Sequence, residues 1–75
     1  MNPFLKRVGV ALYGSLWQSE LARDLRLSDR TIRRWLTHES EIPQQYVLDV
    51  LELVVAHQTE LADIRRILIE IAPYD

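Results

Sequence analysis

Apolar residues recur at helical spacing through nearly the whole chain, and no stretch of it shows the strict alternation of a half-buried strand. Phe4, Leu5, Val8, Ala11 and Leu12 form the first stripe. Asn2 and Pro3 suit a cap and a first helical position, and Gly14 suits an end, so the pattern predicts a helix over residues 3–13. Gly9 falls inside it, where glycine costs about 1 kcal/mol relative to alanine, which marks a place of close helix packing. In the next stretch Leu21, Ala22 and Leu25 share one side of a short helix, residues 18–25, while Ser19 and Arg23 turn away from it. Leu27 breaks that phase. Ser28 then caps a third helix that begins at Asp29 and runs to Leu36 or Thr37.

Residues 38–42 are polar and aperiodic, and Pro43 can open the next helix. From Gln44 to Ala72 there is neither glycine nor proline, and Val50, Val54, His57, Leu61, Ile64, Leu68 and Ile71 alternate spacings of four and three. That is a heptad seam with one polar position. It reads either as one long helix with a dimerising face or as two helices broken near residues 57–59 with Thr59 capping the second; the continuous form is favoured. Val47, Leu48, Leu51 and Val55 widen the stripe, so the first half of this tail is expected to pack on the three preceding helices. The short run Leu53, Val54 and Val55 lies between helix formers and belongs to the helix. The expected class is therefore all-α: a compact helix-turn-helix domain with a long C-terminal helix or helix pair. Residues 1–43 form the helix-turn-helix part, and residues 44–75 form a helical packing and dimerisation part of the same domain.

Size and charge sharpen this picture. A chain of 75 residues is one domain whose single core is marginal, so association with a second copy would add useful burial. With no cysteine, no disulfide or thiolate metal site supplements the core. No apolar run spans a bilayer and residues 1–14 lack a signal-peptide pattern, so a soluble cytoplasmic protein is expected. The net charge of −2 argues at first against a nucleic-acid partner. It conceals a segregation: residues 1–38 carry seven Lys or Arg against three Asp or Glu, and residues 39–75 carry two against eight. A basic docking surface on an acidic support would produce this asymmetry, and so would an acidic tail that only confers solubility.

Residues 18–37, QSELARDLRLSDRTIRRWLT, carry the informative pattern. Two short helices pressed together across a tight turn need Leu21, Leu25, Leu27, Ile32 and Trp35 inward and a small residue, Ala22, at the closest approach. At about 100° per residue, Arg30, Arg33, Arg34 and Thr37 fall on the side of the third helix opposite Ile32, Trp35 and Leu36. Arg30 and Arg34 are like charges four apart, which an isolated helix disfavours and an anionic partner would relieve. Trp17, Trp35, Tyr13 and Tyr46 read as packing residues, the tyrosines with exposed hydroxyls.

With the elements LARDL, LSDRTIRRW and IP in place, residues 17–43 resemble the phage-repressor and Cro-like helix-turn-helix family. The resemblance implies a compact helical domain that binds operator DNA, commonly as a homodimer. The chain departs from the family pattern at Arg26, a turn position where glycine is usual, and at His38, where glycine is frequent. A left-handed Arg26 would cost about 1 kcal/mol, which predicts a slightly opened turn.

Reading-helix geometry makes Asp29, Arg30 and Arg33 the base-reading candidates, with Asp29 either accepting from a cytosine amino group or orienting Arg33 one turn on, the second role being preferred. Gln18, Ser19, Arg23, Arg34 and Thr37 are the phosphate candidates. Val54, Leu61, Ile64, Leu68 and Ile71 are the dimerisation candidates, expected to hold two reading helices about 34 Å apart on an inverted repeat. No catalytic grouping, cofactor motif or small-molecule site is visible, and an effector-controlled switch is not expected in so short a chain. His57 and Glu60 could share a metal ion but lack a third ligand. Two competing readings use the same residues: a solvated arginine face with no partner, and a helical module that docks a protein on the helix-turn-helix or on the acidic tail.

Overall fold

The computed structural model describes residues 3–37 and 40–72, so Asn2 as a cap and His38 as a departure from the family pattern lie outside the described residues. Four α-helices follow one another: α1, Pro3–Tyr13; α2, Trp17–Leu25; α3, Asp29–Leu36; and α4, Gln44–Ile71. A 3-10 turn, Gly14–Leu16, joins α1 to α2. No strand occurs among the described residues. The class is all-α with a long C-terminal helix, and none of the helices is long and apolar enough to cross a membrane.

Local chemistry fixes the boundaries. Gly14 ends α1 at φ +79°, a left-handed conformation that glycine adopts without strain. The 3-10 turn then runs straight into α2, which starts one residue earlier than its apolar stripe suggests. Arg26 closes α2 at φ 59° and ψ 43°, and the amide of Leu27 donates to the carbonyl of Ala22 at 2.8 Å. The expected opening of this turn does not occur: the arginine takes the left-handed conformation and the turn keeps its hydrogen bonds. Ser28 caps α3 by accepting from the amide of Thr31 at 3.3 Å.

Leu5, Trp17, Leu21, Ala22, Ile32 and Trp35 make up the buried core, with Leu25, Leu27 and Leu36 packed around it. Gly9 permits this packing, because a Cβ there would fall 2.1 Å from Cε3 of Trp17. Tyr13 lies at the edge of the core as a packing residue, and its hydroxyl donates to Oδ2 of Asp24 at 2.6 Å. Burial, the Asp24 bond and the nearby negative charge of Asp24 and Glu20 raise its pKa well above the usual phenol range.

The tail is one continuous helix. The polar residues that could have broken it bond back along it instead: Nδ1 of His57 meets the carbonyl of Leu53 at 3.0 Å, and the Thr59 hydroxyl donates to the carbonyl of Val55 at 3.1 Å. Its first half packs on the other helices through Tyr46, Val50 and Leu53, and the His57 ring meets Tyr13 edge-on with centroids 5.9 Å apart. Val47, Leu48, Leu51 and Val55 do not share in this. They lie on the neighbouring, exposed face, which corrects the expectation that they dock on the bundle. Tyr46 decides the choice of face, since its ring tilts against Trp35 with centroids 5.4 Å apart. Beyond His57 every described residue of the chain is exposed, and the molecule is a rod of 53 × 22 × 19 Å with its core at one end.

Candidate nucleic-acid interface

The third helix owes its position to Ile32 and Trp35, buried at 0% and 3% exposure, which turn one side of it into the core. Helical phase then sends Arg30, Arg33, Arg34 and Thr37 outward, where all four are exposed and line one shallow depression. The acidic helix α4 leaves this surface open. No Cα of α3 comes within 8 Å of a Cα of α4, and the described contact between the two is Trp35 against Tyr46 on the opposite side.

The four side chains are not equally available. Arg30 and Arg33 have no carboxylate within ion-pair distance among the described residues. The Thr37 hydroxyl donates back to the carbonyls of Arg33 and Arg34, at 3.2 and 3.4 Å, so its proton is engaged within the helix end. Arg26 lies elsewhere, in a depression it shares with Asp24, Asp49 and Glu52.

At the start of α3, Asp29 accepts from the Ser19 hydroxyl at 3.1 Å. This bond ties the first turns of α2 and α3 together, and it replaces the expected Asp29–Arg33 pair, which does not form. Gln18 and Ser19 stand at the first turn of α2, whose N-terminus has no side-chain cap. Arg23 is held by Glu20 one turn back, and Asp24 lies 3.9 Å from its Nε, so its charge is largely compensated within α2. The Glu20–Arg23 spacing of three was readable in the sequence. The rotamers that join Ser19 to Asp29 were not.

Of the dimerisation candidates, Val54 is half-buried, and Leu61, Ile64, Leu68 and Ile71 are exposed at 63%, 40%, 58% and 71%. His57 is occupied by Leu53 and Tyr13, a packing role. Comparison of the chain with family models, with curated proteins and with solved structures gives no match, so the functional reading rests on the geometry above.

Proposed function

We propose that the chain is a sequence-specific, double-stranded-DNA-binding transcriptional regulator that acts as a homodimer, with α3 as the element that enters the major groove. One observation carries this reading: three guanidinium groups and Thr37 share the solvent side of a short helix whose other side is anchored by Trp35, and the acidic helix leaves them uncovered. A helix about 10 Å across fits a major groove about 12 Å wide, and a guanidinium presents two parallel donors to the O6 and N7 of guanine.

Arg30 and Arg33 are the base readers in this account, because they lie early and midway on α3 and have no carboxylate partner among the described residues. Asp29 stands at the same end and takes a cytosine amino group or serves Ser19. Arg34 and Gln18 face phosphates, joined by the backbone amide of Ser19, whose hydroxyl Asp29 already engages. Arg23 and Thr37 contribute less than the sequence suggested, since Glu20 and the helix carbonyls already engage them. Such a regulator works in the cytoplasm, on the nucleoid.

Selection of bound fragments from a pool of random duplexes tests the proposal. Enrichment of an inverted repeat with guanines at fixed positions in each half supports it. A pool that stays random through successive rounds, together with retention of the chain on a protein partner, would instead favour the protein-docking reading.

A further inference from the structure

The seam of α4 is used twice. Tyr46, Val50, Leu53 and His57 carry the chain's own bundle, and at 100° per residue Leu61, Ile64, Leu68 and Ile71 continue the same stripe with nothing on it. The last fourteen residues of α4, 58–71, are wholly exposed, a length at which an isolated helix is marginal in water. They also expose a shallow apolar groove between Leu61, Ile64, Leu68 and Ile69. A contiguous apolar patch of this kind marks an interaction surface.

We infer that this half-helix pairs antiparallel with the same half-helix of a second copy, about a two-fold axis near Arg66, and that the pairing sets the two α3 helices two turns of duplex apart. The inference rests on the reading of the chain as a paired DNA-binding regulator and specifies how the copies meet.

Continuity of the stripe decides the direction. Because the bundle sits on the same side of α4 as the free seam, a parallel partner would bring two bundles into the space between the helix axes. Paired helices lie about 8–10 Å apart, and a single packed helix already fills about 10 Å. Two bundles do not fit. Antiparallel, each bundle lies beyond the end of the partner's helix, and the seam residues mesh as Leu61 with Ile71 and Ile64 with Leu68 across the axis. Ile67 then meets its own counterpart, while Glu60, Asp63 and Glu70 stay outside the contact.

Charge alone points the other way. Glu60 and Arg65 flank the seam five residues apart, have no intrachain partner among the described residues, and would pair between parallel copies. In the antiparallel arrangement Arg65 faces its own counterpart. An exposed pair of this kind changes affinity only by a factor of about two to five, which does not offset a steric exclusion. The area suffices for a second copy: Leu61, Ile64, Ile67, Leu68 and Ile71 together expose on the order of 500 Å² per copy, so pairing removes about 1,000 Å², the lower bound for a specific interface.

The spacing follows from the same geometry. Trp35 places α3 level with Tyr46, twenty residues from the axis at Arg66. At about 1.5 Å per residue, the two α3 helices lie about 60 Å apart, nearer two turns of duplex than the one turn of about 34 Å expected from the sequence.

Since the chain has no cysteine, Leu61→Cys and Ile71→Cys test the orientation directly. Under mild oxidation neither variant should cross-link alone, because identical residues then lie about 15 Å apart, and an equimolar mixture should give a covalent dimer. Cross-linking of Ile71→Cys by itself would overturn the antiparallel arrangement. Arg65→Gln supplies a second readout: removal of the like-charge contact should tighten self-association about twofold at low salt, and a weakening would mean the parallel form. Sedimentation of the wild-type chain as a monomer at high concentration would overturn the pairing itself. Duplexes carrying the selected half-site at centre spacings of about 10 and 21 base pairs complete the test. Tighter binding to the longer spacing is expected, and preference for the shorter would overturn the spacing. A cross-linked dimer that binds no duplex leaves the pairing standing and removes the DNA reading.

Discussion

Gly9 and Trp17 are in direct register across the α1–α2 contact: a Cβ on Gly9 would stand 2.1 Å from Cε3 and 2.4 Å from Cδ2 of the indole. The indole is 4% exposed and cannot move aside without opening the core. Gly9→Ala gains about 1 kcal/mol of helix propensity and loses about 1–3 kcal/mol or more to overpacking. The loss wins. Thermal unfolding should show a midpoint several degrees below that of the parent chain, whereas a raised midpoint would mean that α1 and α2 are not so closely packed.

Arg26 is the one non-glycine residue with a positive φ among the described residues, and its side chain is exposed. Arg26→Gly should therefore stabilise the chain by about 1 kcal/mol, seen as a higher denaturant midpoint with an unchanged slope. Because Arg26 stands apart from Arg30, Arg33 and Arg34, the same variant should bind duplex DNA with nearly unchanged affinity.

Tyr13 couples the fold to alkaline pH. Its pKa is raised in the folded chain, so the folded state holds the phenolic proton more tightly than the unfolded state does. The stability this contributes is complete below the unfolded value of about 10 and is lost as pH rises beyond it. Stability measured between pH 9 and 11.5 should fall for the parent chain, and the fall should be shallower in Tyr13→Phe, which should also lose about 1 kcal/mol at neutral pH with its bond to Asp24. Equal slopes for the two chains would show that Tyr13 ionises as it does unfolded.

Asp29 places a negative charge at the end of α3 assigned to the DNA. Asp29→Asn keeps an acceptor for Ser19 and removes the repulsion from phosphates, at a cost of about 0.5 kcal/mol of helix-terminus stabilisation. Affinity for random duplex should rise severalfold in fluorescence anisotropy. If affinity falls, Asp29 makes a favourable contact that its charge provides.

Much of the fold was legible because helical phase leaves a periodic trace. The limits of α1 and the Ser28 cap follow from residue types at the helix ends, and the outward arginines from spacing alone. The choice of face on α4 did not, since Val47, Leu48, Leu51 and Val55 form a second apolar stripe beside Tyr46, Val50 and Leu53. Periodicity ranks the two equally, and only the contact of Tyr46 with Trp35 separates them. Continuity through His57 and Thr59 depended on side chains turning back to their own helix, a rotamer choice. In the site, backbone phase gave the position of each residue. Engagement was another matter: Arg23 with Glu20, Asp29 with Ser19 and Thr37 with the end of α3 are set by three-dimensional neighbours.

The salt dependence of duplex binding, measured for the parent chain, Arg33→Ala and Arg34→Ala, tests the account most directly. For the parent chain, log affinity should fall linearly with log salt. Arg34→Ala should make that slope less steep by about one per copy, and Arg33→Ala should chiefly erase the preference for the selected sequence over random duplex. A flat salt response, or parent-like binding by both variants, would contradict the assignment of α3 as the surface that reads DNA.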